Sequence, residues 1–98
     1  MFTASARIDI HLSGITSLKD KRRIVKSLIE RLKSRFNVAV AEVARHDNKR
    51  TAVIGLALVA NDKAFAQQQL TGVLNFVYGD PRFYVGRVQR QLSPFEGD

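Results

Sequence analysis

The sequence predicts an α+β domain in which one antiparallel sheet of four strands carries two helices on one face. Two stretches have the spacing of amphipathic helices, four have the alternation of strands, and their order is strand, helix, strand, strand, helix, strand. The chain has 98 residues, 45% of them hydrophobic, which suits one domain with its own core. We therefore expect a single domain over residues 1–98.

The first stretch, Phe2–Leu12, is predicted to be a half-buried strand. Apolar and polar residues alternate along it: Ala4, Ala6, Ile8, Ile10 and Leu12 on one face, and Thr3, Ser5, Arg7, Asp9 and His11 on the other. Ser13 and Gly14 end the pattern and leave a short connection to the first helix.

The stretch from Ser17 to Phe36 has the strongest helical period in the chain. Ser17 is the expected N-cap, with Asp20 three residues later, so the helix should begin at Leu18. Its apolar arc consists of Leu18, Val25, Leu28, Ile29, Leu32 and Phe36, with Ile24 at the edge. Lys19, Arg22, Lys26 and Lys33 form a row on the flank of that arc, with Arg23 beside them. We call this row the basic ridge.

Lys21, in the first turn of the same helix, projects toward the apolar arc. We expect the aliphatic part of its side chain to lie on the edge of the core and its ammonium to reach water.

The remaining elements follow from alternation, caps and turn residues. Asn37–Arg45 and Arg50–Ala60 are predicted to be two strands of a hairpin that turns at residues 46–49. Asn61 or Asp62 caps a second helix, which ends at Gly79-Asp80-Pro81. Arg82–Leu92 is the last predicted strand. Residues 93–98 are expected to be a short flexible tail, because Pro94 cannot donate to a sheet.

This element order is the split βαβ arrangement of ferredoxin-like sandwiches. Right-handed crossovers place the first and third strands in the centre of the sheet. The start of the first helix, the hairpin turn and Arg82 should then lie at the same edge, where basic residues remote in sequence would meet.

Charge is distributed unequally along the chain. Residues 1–50 carry twelve Lys/Arg against five Asp/Glu, whereas residues 51–98 carry four against four, so the formal charge of +7 lies in the first half. An excess of this kind favours a polyanionic partner, although it is also compatible with a solvated basic face. We predict binding of structured RNA through phosphate contacts. The candidate residues are Lys19, Arg22, Arg23, Lys26, Lys33, Arg45, Lys49 and Arg50.

The open face of the predicted sheet does not resemble an RNA-stacking surface. Its two central strands offer no aromatic ring of the kind on which bases stack in RNA-recognition modules. The third strand is apolar on both faces, so something should cover its outer side. We expect a second copy of the protein, giving a homodimer through the open sheet face or strand edges, with Phe83 and Val85 adding to the contact.

Other functions have weaker support. Asp9 and His11 lie two apart on one strand face, and His46 should lie at the same end of the sheet, but these do not form a catalytic signature. An enzyme that binds an anion or phosphate ligand at the loop between the first strand and the first helix is a further alternative, although the loop S-G-I-T-S lacks the arginine that ferredoxin-like phosphate hydrolases place there. Backbone N–H groups at the helix start, with Lys19 and Arg22, could also hold an anion without chemistry. A dimeric adaptor that binds an acidic protein surface remains an alternative. We expect no catalytic residue, because no catalytic signature is present, and no metal, because two histidines lack a third ligand. We expect no cofactor, because the phosphate-binding glycine motifs are absent. With no cysteine and no long apolar run, a cytoplasmic protein without membrane contact is expected.

Several blocks resemble the YlxP-like family of small bacterial proteins, a domain of unknown function. They are S-L-K-D-K-R-R at Ser17–Arg23, S-L-I-E-R-L-K-S-R-F-N-V at Ser27–Val38, A-E-V at Ala41–Val43 and V-A-N-D at Val59–Asp62. The resemblance implies a ferredoxin-like fold and, in many bacteria, a gene placed among translation and ribosome-maturation factors. It implies no catalytic residue or substrate, and the hairpin H-D-N-K-R departs from the more aromatic loop of some members.

Overall fold

A computed structural model describes residues 1–96 and confirms the predicted order of elements. The strands are β1 (Phe2–Leu12), β2 (Ala39–Ala44), β3 (Thr51–Ala60) and β4 (Phe83–Pro94), and the helices are α1 (Leu18–Arg35) and α2 (Lys63–Tyr78). The β2 strand is shorter than its predicted range of Asn37–Arg45. It ends before Arg45 because that residue has a positive φ of 62°, which is incompatible with an extended strand.

The four strands form one antiparallel sheet in the order β2-β3-β1-β4, so β1 and β3 are central as predicted. In the β1–β3 pair, Ile8 lies opposite Ile54 and Ala6 opposite Leu56. These side chains point to the same side and are buried. The single main core therefore lies between this side of the sheet and the two helices.

Each helix presents one apolar stripe to that core. The α1 stripe buries Val25, Leu28 and Leu32, and the α2 stripe buries Ala66, Leu70, Val73, Leu74 and Val77. Asp62, the second of the two predicted caps, caps α2, because its side chain accepts a hydrogen bond from the Ala64 amide. Within residues 1–96, neither helix combines the length and hydrophobicity needed to cross a bilayer.

The predicted tail begins too early. The β4 strand continues to Pro94, which pairs with Phe2, and the Phe95 amide donates to the Met1 carbonyl at 2.8 Å. Pro94 lies on an edge strand, where its missing N–H can face away from β1. Pairing therefore extends beyond Leu92, and residues 97–98 of the predicted tail lie outside the described range.

The prediction that Phe83 and Val85 lie on the open face is wrong. Phe83 pairs with Leu12 and Val85 with Ile10, both of which point to the helices, and Phe83 is buried. A register shift between Ile8 and Ile10 then changes the phase of β4, so that Val88 lies opposite Ile8. Such an irregularity lets one strand present odd positions to the core before it and even positions after it.

Candidate nucleic-acid interface

The first turn of α1 is fixed by its cap. Ser17 has extended dihedrals, and its hydroxyl accepts a hydrogen bond from the Asp20 amide at 3.1 Å, as predicted. The acidic Asp20 also complements the positive end of the helix dipole. This cap sets where each following side chain of α1 points, including every residue of the basic ridge.

Lys21 is buried, not extended into solvent as expected. Its side chain is 0% exposed, and its Nζ lies 3.0 Å from Glu42 Oε2 as an ion pair. The same ammonium donates to the Arg45 carbonyl at 2.6 Å and lies 3.4 Å from the His46 carbonyl. A buried ammonium costs several kcal/mol unless it is paired and hydrogen-bonded. Three nearby acceptors from β2 and the turn after it make this burial possible and tie α1 to the hairpin.

The hairpin turn is itself held by local hydrogen bonds. The Arg45 carbonyl also accepts from the Asn48 amide at 3.1 Å, and Asn48 Oδ1 accepts from the amides of Arg50 and Thr51. His46 Nε2 lies 3.0 Å from the carbonyl oxygen of Glu42, so the ring is hydrogen-bonded to the backbone of β2, which precedes the turn. The turn therefore holds a fixed shape beside the start of α1.

The predicted binding residues are all at the surface, and they fall into two neighbouring groups. Exposed side chains are found at all eight positions: Lys19, Arg22, Arg23, Lys26, Lys33, Arg45, Lys49 and Arg50. Among residues 1–96, the only one of these with an ion pair within 4.0 Å is Arg23, whose guanidinium lies 3.9 Å from Asp20. Because the Lys21 contact joins the helix start to the turn, the basic ridge adjoins the hairpin cations, which are Arg45, Lys49 and Arg50.

A groove of about 370 Å³ runs between the flank of α1 and β2. Arg22, Lys26 and Lys33 of the basic ridge line it, so the structure brings together three of the predicted residues on one wall. Its other lining residues are Val25, Ile29, Glu30 and Glu42. The groove thus has apolar and acidic parts, and the two carboxylates lie among the ridge cations.

Two cations away from the basic ridge are already engaged, Arg82 just before β4 and Arg35 at the end of α1, and the sequence analysis did not identify these contacts. Arg82, expected near the basic rim, binds Asp80 through Nη2 at 2.6 Å and Nε at 2.9 Å, and donates to Ser27 Oγ of α1 at 3.1 Å. These hydrogen bonds hold the pKa of the Asp80 carboxyl below its usual range, with smaller contributions that include the charge of Arg31. Arg35 lies over the Phe76 ring of α2 at 4.8 Å. The sequence shows Asp80 and Arg82 two residues apart, but nothing in it indicates that Arg82 contacts Ser27 of α1.

The open sheet face carries one aromatic pair that the sequence did not indicate. Tyr84 of β4 lies beside His11 of β1, with ring centroids 5.1 Å apart and an interplanar angle of 18°. The His11 ring stacks on Tyr84 and lies over Gly86, and no hydrogen bond joins it to Asp9 within the described range. The predicted spacing of Asp9 and His11 therefore does not produce a hydrogen-bonded catalytic pair. No cluster of three potential metal ligands occurs among residues 1–96.

Solved structures place this fold among ferredoxin-like α+β sandwiches. The de novo designed protein Foldit4 aligns with a TM-score of 0.52 and 17% identity, over 97% of this chain and 98% of its own. The de novo designed protein LFR1 1, which has a ferredoxin fold, aligns with a TM-score of 0.51 and 15% identity, over 99% and 89% of the two chains. At these identities the similarity concerns the fold alone.

Within that fold class, residues 3–90 match the family described as "Protein of unknown function (DUF503)", and the chain belongs to this family. It is also 31% identical over 65 residues to the uncharacterized protein YlxP of Bacillus subtilis (strain 168). That alignment covers 66% of this chain and 71% of the relative. The resemblance noted in the sequence is thereby confirmed.

Proposed function

We propose that the protein binds structured RNA through the basic ridge and the hairpin cations, with ribosomal RNA as the first candidate. The observation that carries the proposal is the row of exposed ridge cations on α1, of which Lys19, Arg22, Lys26 and Lys33 have no ion pair within 4.0 Å among residues 1–96. Lys and Arg that are exposed and free of internal partners are available to replace counterions at phosphates.

The length of the ridge suits a run of several phosphates. Lys19 and Lys33 are fourteen residues apart, which corresponds to about 21 Å along a helix. The hairpin cations extend the positive surface past the start of α1. Such a surface contacts the backbone and reads the shape of a folded RNA more than its base sequence.

The two acidic residues of the groove refine where the contact should occur. Glu30 and Glu42 line the groove between α1 and β2, and because Glu42 is already paired with Lys21, it is mainly Glu30 that would repel phosphates there. The RNA backbone is therefore expected on the solvent side of the ridge and not deep in the groove. Neutralising the exposed Glu30 with Glu30→Gln should raise RNA affinity a few-fold.

The test compares two variants that have the same net charge. The ridge variant carries Lys19→Glu, Arg22→Glu and Lys26→Glu, and the control carries Arg31→Glu, Lys63→Glu and Arg90→Glu. Each change lowers the formal charge from +7 to +1, since three cations become anions. Binding to ribosomal subunits and to a naked structured RNA is measured over a salt series.

The ridge variant should bind much more weakly than the control, and its salt slope should fall by about two to three, one per lost phosphate contact. Competition with an unrelated structured RNA should displace the wild type, whereas polyglutamate at equal charge should do so poorly. If both variants lose binding equally, only overall charge matters and the site is wrong. If polyglutamate competes as well as RNA, the surface fits an acidic protein partner instead.

A further inference from the structure

The sheet face that points away from the helices is uncovered in the described part of the chain. Both helices pack on the other side, while Val43 of β2 is 50% exposed, Val59 of β3 63% and Tyr84 of β4 64%. We call this surface the open face. Its β2–β3 half is apolar, with Ala39, Ala41, Val43, Val53, Gly55, Ala57 and Val59, of which Val53 is already buried. Its centre on β1 carries Arg7 and Asp9, and the irregular part of β4 beside Asp9 adds the exposed Arg87.

We propose that the open face is the interface of a homodimer, in which two copies pack sheet to sheet about a twofold axis perpendicular to the strands. The occupant is a second copy of this chain, because the β1 centre of the face, with Arg7 and Asp9, is complementary in charge to itself. This inference does not depend on RNA binding, since the basic ridge lies on the helical side.

The charge argument rests on Arg7 and Asp9. They lie on the same side of β1, two residues apart, which is about 6.8 Å along a strand. Neither has an ion pair within 4.0 Å among residues 1–96. The orientation of the axis decides which charges meet across the interface.

A twofold axis parallel to the strands would place Arg7 of one copy opposite Arg7 of the other, which is repulsive. An axis perpendicular to the strands that passes over Ile8 reverses the direction of β1 in the second copy. Arg7 of each copy then faces Asp9 of the other, so the interface contains two opposite-charge pairs. Isologous contacts of this kind are the usual basis of twofold dimers.

The same axis brings apolar surface together. Ile8 pairs with Ile54, and Val43 of β2 lies at the level of Ile54, between Glu42, which pairs with Ile54, and Ala44. Val43 of the two copies would therefore meet near the axis. Its side chain lies over Gly55, with Cγ1 only 2.8 Å from where a Cβ on that glycine would be. The glycine thus lets Val43 lie flat against β3, which favours a smooth surface for sheet packing.

The size of the face is sufficient for a stable dimer. Strands of about ten residues span about 33 Å, and four strands at their usual spacing span about 19 Å, which gives about 600 Å² per copy. Two copies would together bury about 1,200–1,300 Å² of surface if the faces are treated as flat, which lies at the lower end of the range of specific interfaces.

The test is a charge exchange followed by sedimentation equilibrium. Arg7→Asp places Asp opposite Asp in the dimer, and Asp9→Arg places Arg opposite Arg, so each variant alone should dimerise at least about 100-fold more weakly than the wild type. Mixed in equal amounts, the two variants should form a heterodimer of nearly wild-type affinity, because each interface pair is again of opposite charge. Circular dichroism of each variant checks that it is folded.

Val43→Asp provides a second variant that leaves Arg7 and Asp9 intact, and it should also yield monomers. Three results would overturn the proposal: a wild type that stays monomeric at millimolar concentration, dimers that survive both charge changes, or a mixture that does not reassociate. The second of these would point to pairing at strand edges.

Discussion

The two helices pack on the same sheet with similar apolar stripes but differ in charge. Eight of the eighteen residues of α1 are Lys or Arg, whereas Lys63 is the only cation among the sixteen residues of α2. Because α2 packs without such residues, contact with the sheet does not require them. The cations of α1 must therefore be explained individually.

The structure divides the α1 cations by what they contact. Lys21 is buried against β2 and the hairpin, and Arg35 lies over an α2 ring. The ridge cations instead are exposed, and in the described range only Arg23 among them has an ion pair, at 3.9 Å from Asp20. One helix thus contains both a structural cation and a surface row, and the difference lies in the acceptors that surround each side chain.

The largest expected effect is at Lys21. Replacing it with Met removes the partner of the largely buried Glu42 and leaves the Arg45 carbonyl without its ammonium donor, which should lower the free energy of unfolding by about 3–5 kcal/mol. Urea denaturation measures the change. Lys26→Met, on the exposed ridge of the same helix, is the matched control and should change it by less than about 0.5 kcal/mol.

A double variant separates the ion pair from packing. Lys21→Met with Glu42→Met removes both charges and should recover much of the loss, since replacing a whole buried pair costs far less than breaking it. If Lys21→Met and Lys26→Met were equally stable, the buried contacts of Lys21 would contribute no more to stability than the exposed side chain of Lys26.

The next effect concerns the link from the end of α2 to α1. Asp80→Asn weakens the hydrogen bonds to Arg82 and should cost about 1.5–3 kcal/mol at pH 7. Since the folded-state pKa of Asp80 is lowered, its contribution is fully present above the unfolded value near 3.8 and is lost as the pH falls through the folded value.

The stability difference between wild type and Asp80→Asn should therefore shrink below about pH 4. Chemical denaturation at pH 7 and at pH 3 measures it, with the exposed Asp47→Asn as control. A gap that stays constant over this range would mean that the carboxylate charge of Asp80 does not stabilise the fold.

The helix caps should show that α1 and α2 begin in the same way, with a side-chain oxygen that accepts a hydrogen bond from a first-turn amide. Ser17→Ala and Asp62→Ala each remove one side-chain acceptor from the first turn, at 3.1 and 3.2 Å, and each should cost about 1 kcal/mol. Thermal or urea unfolding compares them with Thr16→Ala, an exposed neighbour that should have little effect. A cost confined to one helix would mean that the two ends are not held in the same way.

Much of this fold follows from local patterns in the sequence. Alternation over Phe2–Leu12 and the Ser17 cap fix β1 and the start of α1, and the element order leaves few alternatives for the topology. The errors lie where distant residues decide. The phase of β4 depends on a register shift against β1, and the pairing of Pro94 depends on its position at an edge.

The candidate site was predicted as surface positions but not as an arrangement. Helical spacing was enough to place the ridge residues on one flank of α1. It could not show that Lys21 would find Glu42 and the carbonyl of Arg45, because those acceptors come from a strand and a turn 21 to 24 residues away. For the same reason, nothing in the local sequence distinguished Arg82, which is engaged by Asp80, from the available cations.

The smallest expected effect on stability is that of the ridge variant, and it gives the sharpest test of the comparison between helices. Lys19→Glu with Arg22→Glu and Lys26→Glu alters exposed side chains without ion pairs, so unfolding free energy should change by less than about 1 kcal/mol in total. Part of any change will be favourable, because an acidic side chain in the first turn complements the helix dipole. Part will be unfavourable, because Lys26→Glu places a like charge one turn before Glu30.

Urea denaturation of the ridge variant at 0.15 M and 1 M salt measures both contributions, since screening weakens them. A large loss of stability would mean that the ridge helps to hold α1 in place. A small change would show instead that α1 packs without three of its eight Lys and Arg, so that the fold does not depend on the ridge.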